Sequence, residues 1–261
     1  MPADELLAGG TANRGRVFRV GDTVHRPRGG HAPAVHALLG HLRDTGFRGA
    51  PGVVDGAADG GRVEVLDYVP GTAAVEPLPG WALTDDALAT VGSLLRSFHD
   101  HAASFDATPL RWQRAVPPPW RGTLVTHNDV NPANVVFRDG RAVALIDFDL
   151  AAPGSRPWDL AIAACCWAPL REPADVTDDR AGAAARRLRA LLDGYGADAI
   201  LRTATVAASA TANAWIAAVI RDASQAGHPA FGRMWEAQAE MYRRAGGWIV
   251  AHRRELHAAV R

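Results

Sequence analysis

The sequence contains no lysine, so all 28 of its basic residues are arginine. No reaction step in this protein can therefore depend on a lysine amine. Any phosphate that it binds must be held by other donors, such as guanidinium and backbone N–H groups.

Cysteine is almost absent as well. The chain has two cysteines, Cys165 and Cys166, which are adjacent within an apolar run. Two buried thiols on a core helix explain this pair better than a strained disulfide between neighbours. We therefore expect a reduced, cytoplasmic protein.

Neither sign of charge is in excess, because the acidic residues also number 28 and the formal net charge is zero. Since no long basic run is present, neither nucleic acid nor an anionic membrane is expected as a partner. No uninterrupted apolar run reaches the length of a membrane span, and the first residues lack the pattern of a secretory signal. The 261 residues, 48% of them hydrophobic, are enough for two lobes or one large domain with a substantial core.

The most informative stretch of the sequence lies between positions 126 and 149. It places His127, Asp129 and Asn134 in the pattern H-x-D-x-x-x-x-N, and Asp147 follows within I-D-F-D. Residues 135–137 and 142–146 are mainly apolar runs that predict two strands, and the Asp-Gly pair between them predicts a tight hairpin turn. The hairpin should bring Asn134 and Asp147 together at its open end.

An acid, an amide and a second acid at one point suit phosphoryl transfer, which depends on positioning and charge neutralisation. In protein-kinase catalytic loops an Asp orients the attacking hydroxyl, while an Asn and a second Asp hold Mg²⁺. By this template Asp129 is the base, and Asn134 and Asp147 are magnesium ligands. The alternative is an Asx-rich loop that caps the hairpin and leaves its carboxylates in solvent.

The chain resembles the aminoglycoside phosphotransferase and choline kinase group of protein-kinase-like enzymes. The segments that carry the resemblance are H-N-D-V-N-P-A-N, I-D-F-D and R-P-W-D-L-A. It implies a two-lobed α+β fold. A small β-sheet lobe with one helix, residues 1–70, would bind nucleotide, and a larger, mainly helical lobe, residues 71–261, would carry catalysis and bind the acceptor.

The resemblance also implies roles for single residues. Asp129 would be the catalytic base, and His127, at the start of the catalytic loop, a second catalytic residue. Asn134 and Asp147 would bind Mg²⁺, with ATP or GTP as co-substrate. Asp159 would anchor the catalytic loop from the helix that follows it.

Nucleotide binding is where the sequence departs from this group. Kinase-like enzymes normally hold the phosphates with a strand lysine, and in this group it pairs with a helix glutamate; Arg26 and His36 stand at those positions. We predict that Arg26 contacts phosphate and that a neutral His36 accepts a hydrogen bond from it; a solvated edge-strand arginine is the alternative. Gly9 and Gly10 could form a loop over the phosphates or an ordinary turn.

The alternating run from position 62 ends at a Pro-Gly pair, where the lobes should meet. In a two-lobed kinase this strand leads into the hinge. The backbone groups of Asp67, Tyr68 and Val69 would then bind the purine edge. An ordinary strand with Tyr68 in the core is an equally simple interpretation, because backbone recognition leaves no side-chain signal.

The charge of the C-terminal third bears on the acceptor. From Arg171 onward, thirteen arginines stand against ten acidic residues. A pocket for a polycationic aminoglycoside should carry an acidic excess, so we favour a neutral or weakly charged alcohol. The expected function is Mg²⁺- and nucleotide-dependent phosphorylation of a hydroxyl on an antibiotic- or metabolite-like small molecule. The rivals are an inactive kinase-fold binder of a nucleotide or metabolite, and a kinase-fold enzyme of different group transfer.

Overall fold

The N-terminal part of the fold is an antiparallel sheet. The computed structural model describes residues 5–7, 13, 15–54 and 59–261, so the loop predicted at Gly9 and Gly10 lies outside the described residues. Four strands in the order β1-β2-β3-β4 make up the sheet, and helix α1 lies between β3 and β4 in the chain. The bounds are β1 Glu5–Leu6, β2 Phe18–Val20, β3 Thr23–Pro27, α1 Ala32–Asp44 and β4 Val63–Asp67.

Helix α1 packs through the apolar face that its periodicity predicts. Val35, Leu38, Leu39 and Leu42 are all buried, and Pro33 lies in the first turn, where a missing N–H costs nothing. These side chains belong to the same buried cluster as Leu88 and Leu95, which lie beyond the sheet in the chain. The core is therefore continuous from the sheet into the helical part of the chain.

Six helices form most of the C-terminal part among the described residues. They are α2 Asp85–Ala102, α3 Arg156–Trp167, α4 Ala184–Tyr195, α5 Ala199–Gln225, α6 Pro229–Ala251 and α7 Arg253–Ala259. Thr84 caps α2, since its side-chain oxygen accepts a hydrogen bond from the Ala87 N–H at 3.1 Å. Apolar residues recur at helical spacing from Met234 to Leu256 and predict one long final helix, but the structure has two helices there, α6 and α7, separated at His252.

Glycine allows α2 and α4 to approach closely. A Cβ on Gly92 would lie 2.3 Å from the Leu191 carbonyl oxygen, and one on Gly194 would lie 2.1 Å from the Ala89 carbonyl oxygen. Any side chain at either position would therefore force the helices apart. This contact matters for the site because α2 also carries the buried His99.

Helix α5 qualifies as a membrane span by length and composition, with a mean hydropathy of 1.4 in its most apolar window. The expectation that no segment is long enough to span a membrane was based on uninterrupted apolar runs alone. Polar residues such as Asn213 interrupt the apolar sequence of α5. The helix packs against α3 and α6 and buries Val206, Ala212 and Trp215. Core helices of folded domains meet the same criterion.

Short strands position the predicted catalytic segments. The predicted hairpin is confirmed as β7 Val135–Arg138 and β8 Arg141–Leu145, with β5 Thr72–Ala73 along its other edge. Strands β6 Leu124–Thr126 and β9 Ala152–Gly154 pair antiparallel, with Thr126 opposite Ala152. The loop after β6 and the segment before β9 therefore lie side by side. The lobe boundary near position 70 stays a prediction.

Candidate active site

The loop after β6 holds Asp129 with both carboxylate oxygens bonded. The Asn131 Nδ2 donates to Oδ1 at 2.8 Å, and the Asn134 Nδ2 donates to Oδ2 at 2.7 Å. Asn131 is itself fixed, because its side-chain oxygen accepts from the Ala133 N–H at 2.9 Å. The carboxylate of Asp129 therefore has a set orientation while remaining partly exposed.

A buried carboxylate holds the start of this loop from α3. Asp159 accepts the His127 N–H and the Asn128 N–H, each at 2.8 Å, and the His99 Nε2–H at 3.0 Å. Asn128 has a φ of 63°, a left-handed conformation that side chains other than glycine rarely adopt. The anchoring role expected for Asp159 is confirmed by these bonds, which hold the backbone turn that leads into Asp129.

His127 has no exposed surface, although it was predicted as a catalytic residue beside Asp129. Its Nε2 donates to the Ile146 carbonyl at 3.1 Å, and its Nδ1 accepts the Asp129 N–H at 3.2 Å. Burial is the main cause that lowers the pKa of His127, which favours the neutral ring. His127 thus links the catalytic loop to the segment before Asp147 and positions Asp129, and it is not exposed to a substrate.

Arg26 lies on two of the acids that follow β8. Its Nη1 is 2.9 Å from Asp147 Oδ1, and its Nη2 is 2.6 Å from Asp149 Oδ1. Asp149 also lies 3.3 Å from the His31 Nε2. Burial alone would lower the pKa of Arg26, but the charges of Asp149, Asp147 and Glu64 together raise it, so the guanidinium stays charged. Arg26 is only 8% exposed, which rules out the solvated arginine considered above.

The prediction that His36 bonds directly to Arg26 is wrong, because Glu64 lies between them. Glu64 Oε1 is 2.7 Å from the Arg26 Nε, and its Oε2 is 2.5 Å from the His36 Nε2. The reason is the strand register: Arg26 on β3 and Glu64 on β4 are cross-strand partners, so their side chains share one face. The carboxylate that pairs with the strand cation therefore comes from β4, and His36 supports it.

The predicted magnesium ligands meet at the mouth of the hairpin. The Ile146 N–H donates to the Asn134 carbonyl at 2.9 Å, which fixes the segment that ends at Asp147. The Asn134 amide nitrogen donates to Asp129, so it is the amide oxygen of Asn134 that could bind a cation. No group of three or more His, Cys, Asp or Glu among the described residues has metal-holding geometry. These oxygens suit Mg²⁺, which usually takes one or two protein ligands together with substrate phosphates and water.

The electrostatics of the loop favour proton transfer by Asp129. Burial raises the pKa of Asp129 to about 7, and the charge of Asp147 adds to this shift, while the amides of Asn131 and Asn134 oppose it. A carboxyl group with a pKa near neutrality can accept a proton and release it again under physiological conditions.

Two of the backbone N–H groups that were predicted to bind the purine at the hinge already donate hydrogen bonds within the chain. The Asp67 N–H donates to the Gly52 carbonyl and the Tyr68 N–H donates to the Asp22 carbonyl, both at 2.8 Å. Tyr68 is not a core residue: its ring lies 3.8 Å from the guanidinium carbon of Arg19. Of the three N–H groups proposed for purine binding, the Val69 N–H is the one without a partner among the described residues.

Sequence reasoning missed Glu64, Asn131 and His31. Glu64 had a usable signal, since an acid and Arg26 occur in two alternating strands, but the register that pairs them was not known. Asn131 lies inside the quoted motif and forms a local Asx turn with Ala133, a pattern readable from the sequence. His31 precedes α1 and gives no signal without the position of Asp149.

These contacts define a class of protein. The small antiparallel sheet, the larger helical part and the loop that carries Asp129 are those of the kinase-like phosphotransferases. Two solved structures share the fold. The GDP complex of aminoglycoside 2'-phosphotransferase-IIIa is 16% identical and aligns over 94% of this chain and 92% of its own, with a TM-score of 0.61. A choline/ethanolamine kinase family protein from Mesorhizobium loti is 16% identical over 99% of this chain and 92% of its own, with a TM-score of 0.59.

Sequence comparison identifies the family. A profile of the Phosphotransferase enzyme family matches residues 102–201, the range that holds the catalytic loop. The Trifolitoxin immunity protein of Rhizobium leguminosarum bv. trifolii is 31% identical over 276 aligned positions, which cover 98% of this chain and 99% of that protein. The chain therefore belongs to the phosphotransferase enzyme family, and the immunity protein is its relative along nearly the whole length.

Proposed function

We propose that this protein transfers the γ-phosphate of ATP or GTP to a hydroxyl group of an antibiotic- or metabolite-like small molecule, with Mg²⁺ as cofactor. The observation that carries the proposal is the fixed, partly exposed carboxylate of Asp129 beside Asn134 and Asp147. The name of the immunity-protein relative supports an acceptor that is toxic to the host cell. We place the reaction in the cytoplasm, where nucleoside triphosphates are available.

Each group has a defined task in this proposal. Asp129 orients the acceptor hydroxyl and takes its proton as the phosphate is transferred. Asn134 and Asp147 would hold Mg²⁺, which supplies positive charge against the nucleotide phosphates. Asp159 and His127 keep the loop in place without touching the substrate.

Arg26 must change partners for this reaction. In the described state its guanidinium is bonded to Asp147, a proposed metal ligand, and to Asp149. We infer that nucleotide and Mg²⁺ draw Asp147 away from Arg26, while the ion pair to Glu64 keeps the guanidinium close enough to reach a phosphate oxygen. The same contact also supports an inactive binder, in which Arg26 replaces the metal permanently.

One experiment separates these possibilities. Calorimetric titration with ATP and GTP, with and without Mg²⁺, should give tighter binding when Mg²⁺ is present. Phosphate transfer is then measured against a library of alcohols and antibiotics. The proposal requires phosphorylated product that depends on both Mg²⁺ and Asp129. Nucleotide binding that ignores Mg²⁺, together with no product from any acceptor, would establish the inactive binder.

A further inference from the structure

The segment that carries Asp147, residues 146–150, is bonded to the catalytic loop at both ends. At its start, the Ile146 carbonyl accepts a hydrogen bond from the His127 Nε2–H at 3.1 Å. At its far end, the Leu150 carbonyl accepts one from the Asn128 Nδ2–H at 2.9 Å. His127 and Asn128 directly precede the proposed base in the chain. The two bonds therefore join the start of the loop to both ends of the segment that holds a proposed metal ligand.

The side-chain amide of Asn128 has one possible orientation. Asn128 is 1% exposed, and its Oδ1 accepts from the Trp158 indole at 3.0 Å and from the Thr126 hydroxyl at 2.8 Å. An indole N–H can only donate and a backbone carbonyl can only accept, so a reversed amide would lose both Trp158 and Leu150 as partners. The amide thus connects α3, β6 and the far end of the segment after β8.

The backbone of Asn128 is in a conformation that suits glycine better than asparagine. Its φ of 63° lies in the left-handed region, which a residue with a Cβ adopts at a cost. Such conformations persist where the surrounding contacts hold them, and they are concentrated at functional sites. Glycine would take the same φ without strain. The hydrogen bonds of the amide are therefore what the asparagine side chain contributes at this position.

Among the described residues, no other hydrogen bond joins the catalytic loop to residues 147–150. Asp159 binds backbone N–H groups of the loop and holds it against α3, not against this segment. The Ile146 N–H donates to the Asn134 carbonyl, but this bond lies at the start of the segment. The far end of the segment therefore depends on Asn128 for its hydrogen bond to the loop.

We propose that Asn128 is a positioning residue that sets the spacing between Asp129 and Asp147 through its bond to the Leu150 carbonyl. The inference rests on the proposed phosphotransfer, in which Asp129 orients the acceptor hydroxyl while Asp147 holds the metal. Such a reaction tolerates little displacement, since a shift of about 1 Å in a reacting group can lower the rate on the order of 10²-fold. Asn128 acts through the two segments that it joins and touches neither substrate.

The first test separates positioning from stability. Asn128→Gly removes the amide and keeps the left-handed backbone. Asn213→Ala is the matched control, because Asn213 is 6% exposed and its Nδ2 donates to the Tyr242 carbonyl at 2.9 Å, between α5 and α6. Both variants should lower the Tm by several degrees, since each leaves a buried carbonyl unpaired.

Only Asn128→Gly should also lower kcat per folded molecule, by about 10-fold or more, with the Kd of the nucleotide unchanged. An undiminished kcat in Asn128→Gly, or an equal fall in Asn213→Ala, would overturn the inference.

The second test isolates the bond to Leu150. Asn128→Asp keeps an oxygen that can accept from Trp158 and Thr126, but it has no N–H to donate to the Leu150 carbonyl. The NMR signal of the Trp158 indole N–H should therefore stay near its wild-type position in Asn128→Asp and move in Asn128→Gly. The kcat should fall in both variants. Wild-type kcat in Asn128→Asp would show that the bonds to α3 and β6 suffice, and it would overturn the proposed link.

Hydrogen exchange tests the link without nucleotide or acceptor. The Ala151 N–H, which donates to the Phe148 carbonyl at 3.0 Å, should lose protection in Asn128→Gly and keep it in Asn213→Ala. The amides of positions 127 and 128 should stay protected in both variants, because Asp159 still binds them. If wild type phosphorylates no acceptor, the proposed function is rejected, and exchange alone decides whether Asn128 holds the segment. Unchanged protection of the Ala151 amide in Asn128→Gly would overturn the inference while phosphotransfer stands.

Discussion

Removal of the Asp159 carboxylate should destabilise the catalytic loop more than any surface change of equal size. Asp159→Ala leaves three buried donors without a partner: the N–H groups of His127 and Asn128, and the His99 Nε2–H. Each unpaired donor costs about 1–3 kcal/mol, and partial relaxation reduces the sum, so we expect a loss of about 3–5 kcal/mol. Asp159→Asn should cost less, about 2 kcal/mol, because its amide oxygen can still accept from some of these donors.

Urea denaturation gives the free energy of unfolding for this comparison. With a slope of about 3 kcal/mol per molar urea, Asp159→Ala should lower the midpoint by about 1–2 M. Asp193→Ala is the control: its side chain is 52% exposed and pairs with Arg202 at 2.6 Å. Loss of such a surface pair costs about 0–1 kcal/mol. Hydrogen exchange should also show that the His127 and Asn128 amides lose protection in Asp159→Ala.

The pH dependence follows from the direction of the Asp159 shift. Burial alone would raise the pKa of Asp159, but the hydrogen bond and charge of His99 and the contacts of His127 lower it below its ordinary value. The stabilisation is therefore complete above the unfolded-state pKa, near 4, and is lost as the pH falls through the lower folded-state value. Asp159→Ala and wild type should converge in acid. Equal urea midpoints for Asp159→Ala and Asp193→Ala at neutral pH, or loop amides that stay protected, would refute the anchoring argument.

Three further predictions concern the reaction. Asp129→Ala should reduce kcat by about 10²-fold or more with nucleotide affinity nearly intact, and near wild-type turnover in this variant would contradict the role of Asp129. Because the pKa of Asp129 is raised to about 7, the kcat of the wild-type enzyme should rise with pH through neutrality and then level off. Asp147→Ala should abolish the Mg²⁺ dependence of nucleotide binding, and calorimetry with the same Mg²⁺ response as wild type would count against it. Arg26→Ala should raise the nucleotide KM and lower kcat together, and unchanged steady-state kinetics in this variant would exclude a phosphate contact. Arg26→Lys should restore activity only partly, because one ammonium cannot match a guanidinium that meets Glu64, Asp147 and Asp149 at once.

Much of the candidate site was predictable because its parts are close in the chain. The Asp-Gly turn and the two flanking apolar runs predict the β7–β8 hairpin, which in turn predicts that Asn134 and Asp147 meet. The buried face of α1 and the Thr84 cap of α2 could equally be predicted from the local sequence. Such features act over a few residues, so the local sequence contains all the interactions that decide them.

The partners of the charged groups could not be predicted in the same way. Arg26 and Asp147 are 121 positions apart, and whether Glu64 or His36 meets the guanidinium depends on the register of β3 against β4. A shift of one residue in that register would turn Glu64 to the opposite face of the sheet. The sequence places Arg26 where related enzymes carry a lysine, but only the tertiary structure decides which carboxylates surround it.

The arginines after α3 show the same division. Their number follows from the sequence alone. Packing alone decides that Arg180 and Arg187 reach the carbonyls of Cys166 and Trp167 at the end of α3, because an arginine side chain is long and its partner depends on which groups the fold brings within reach.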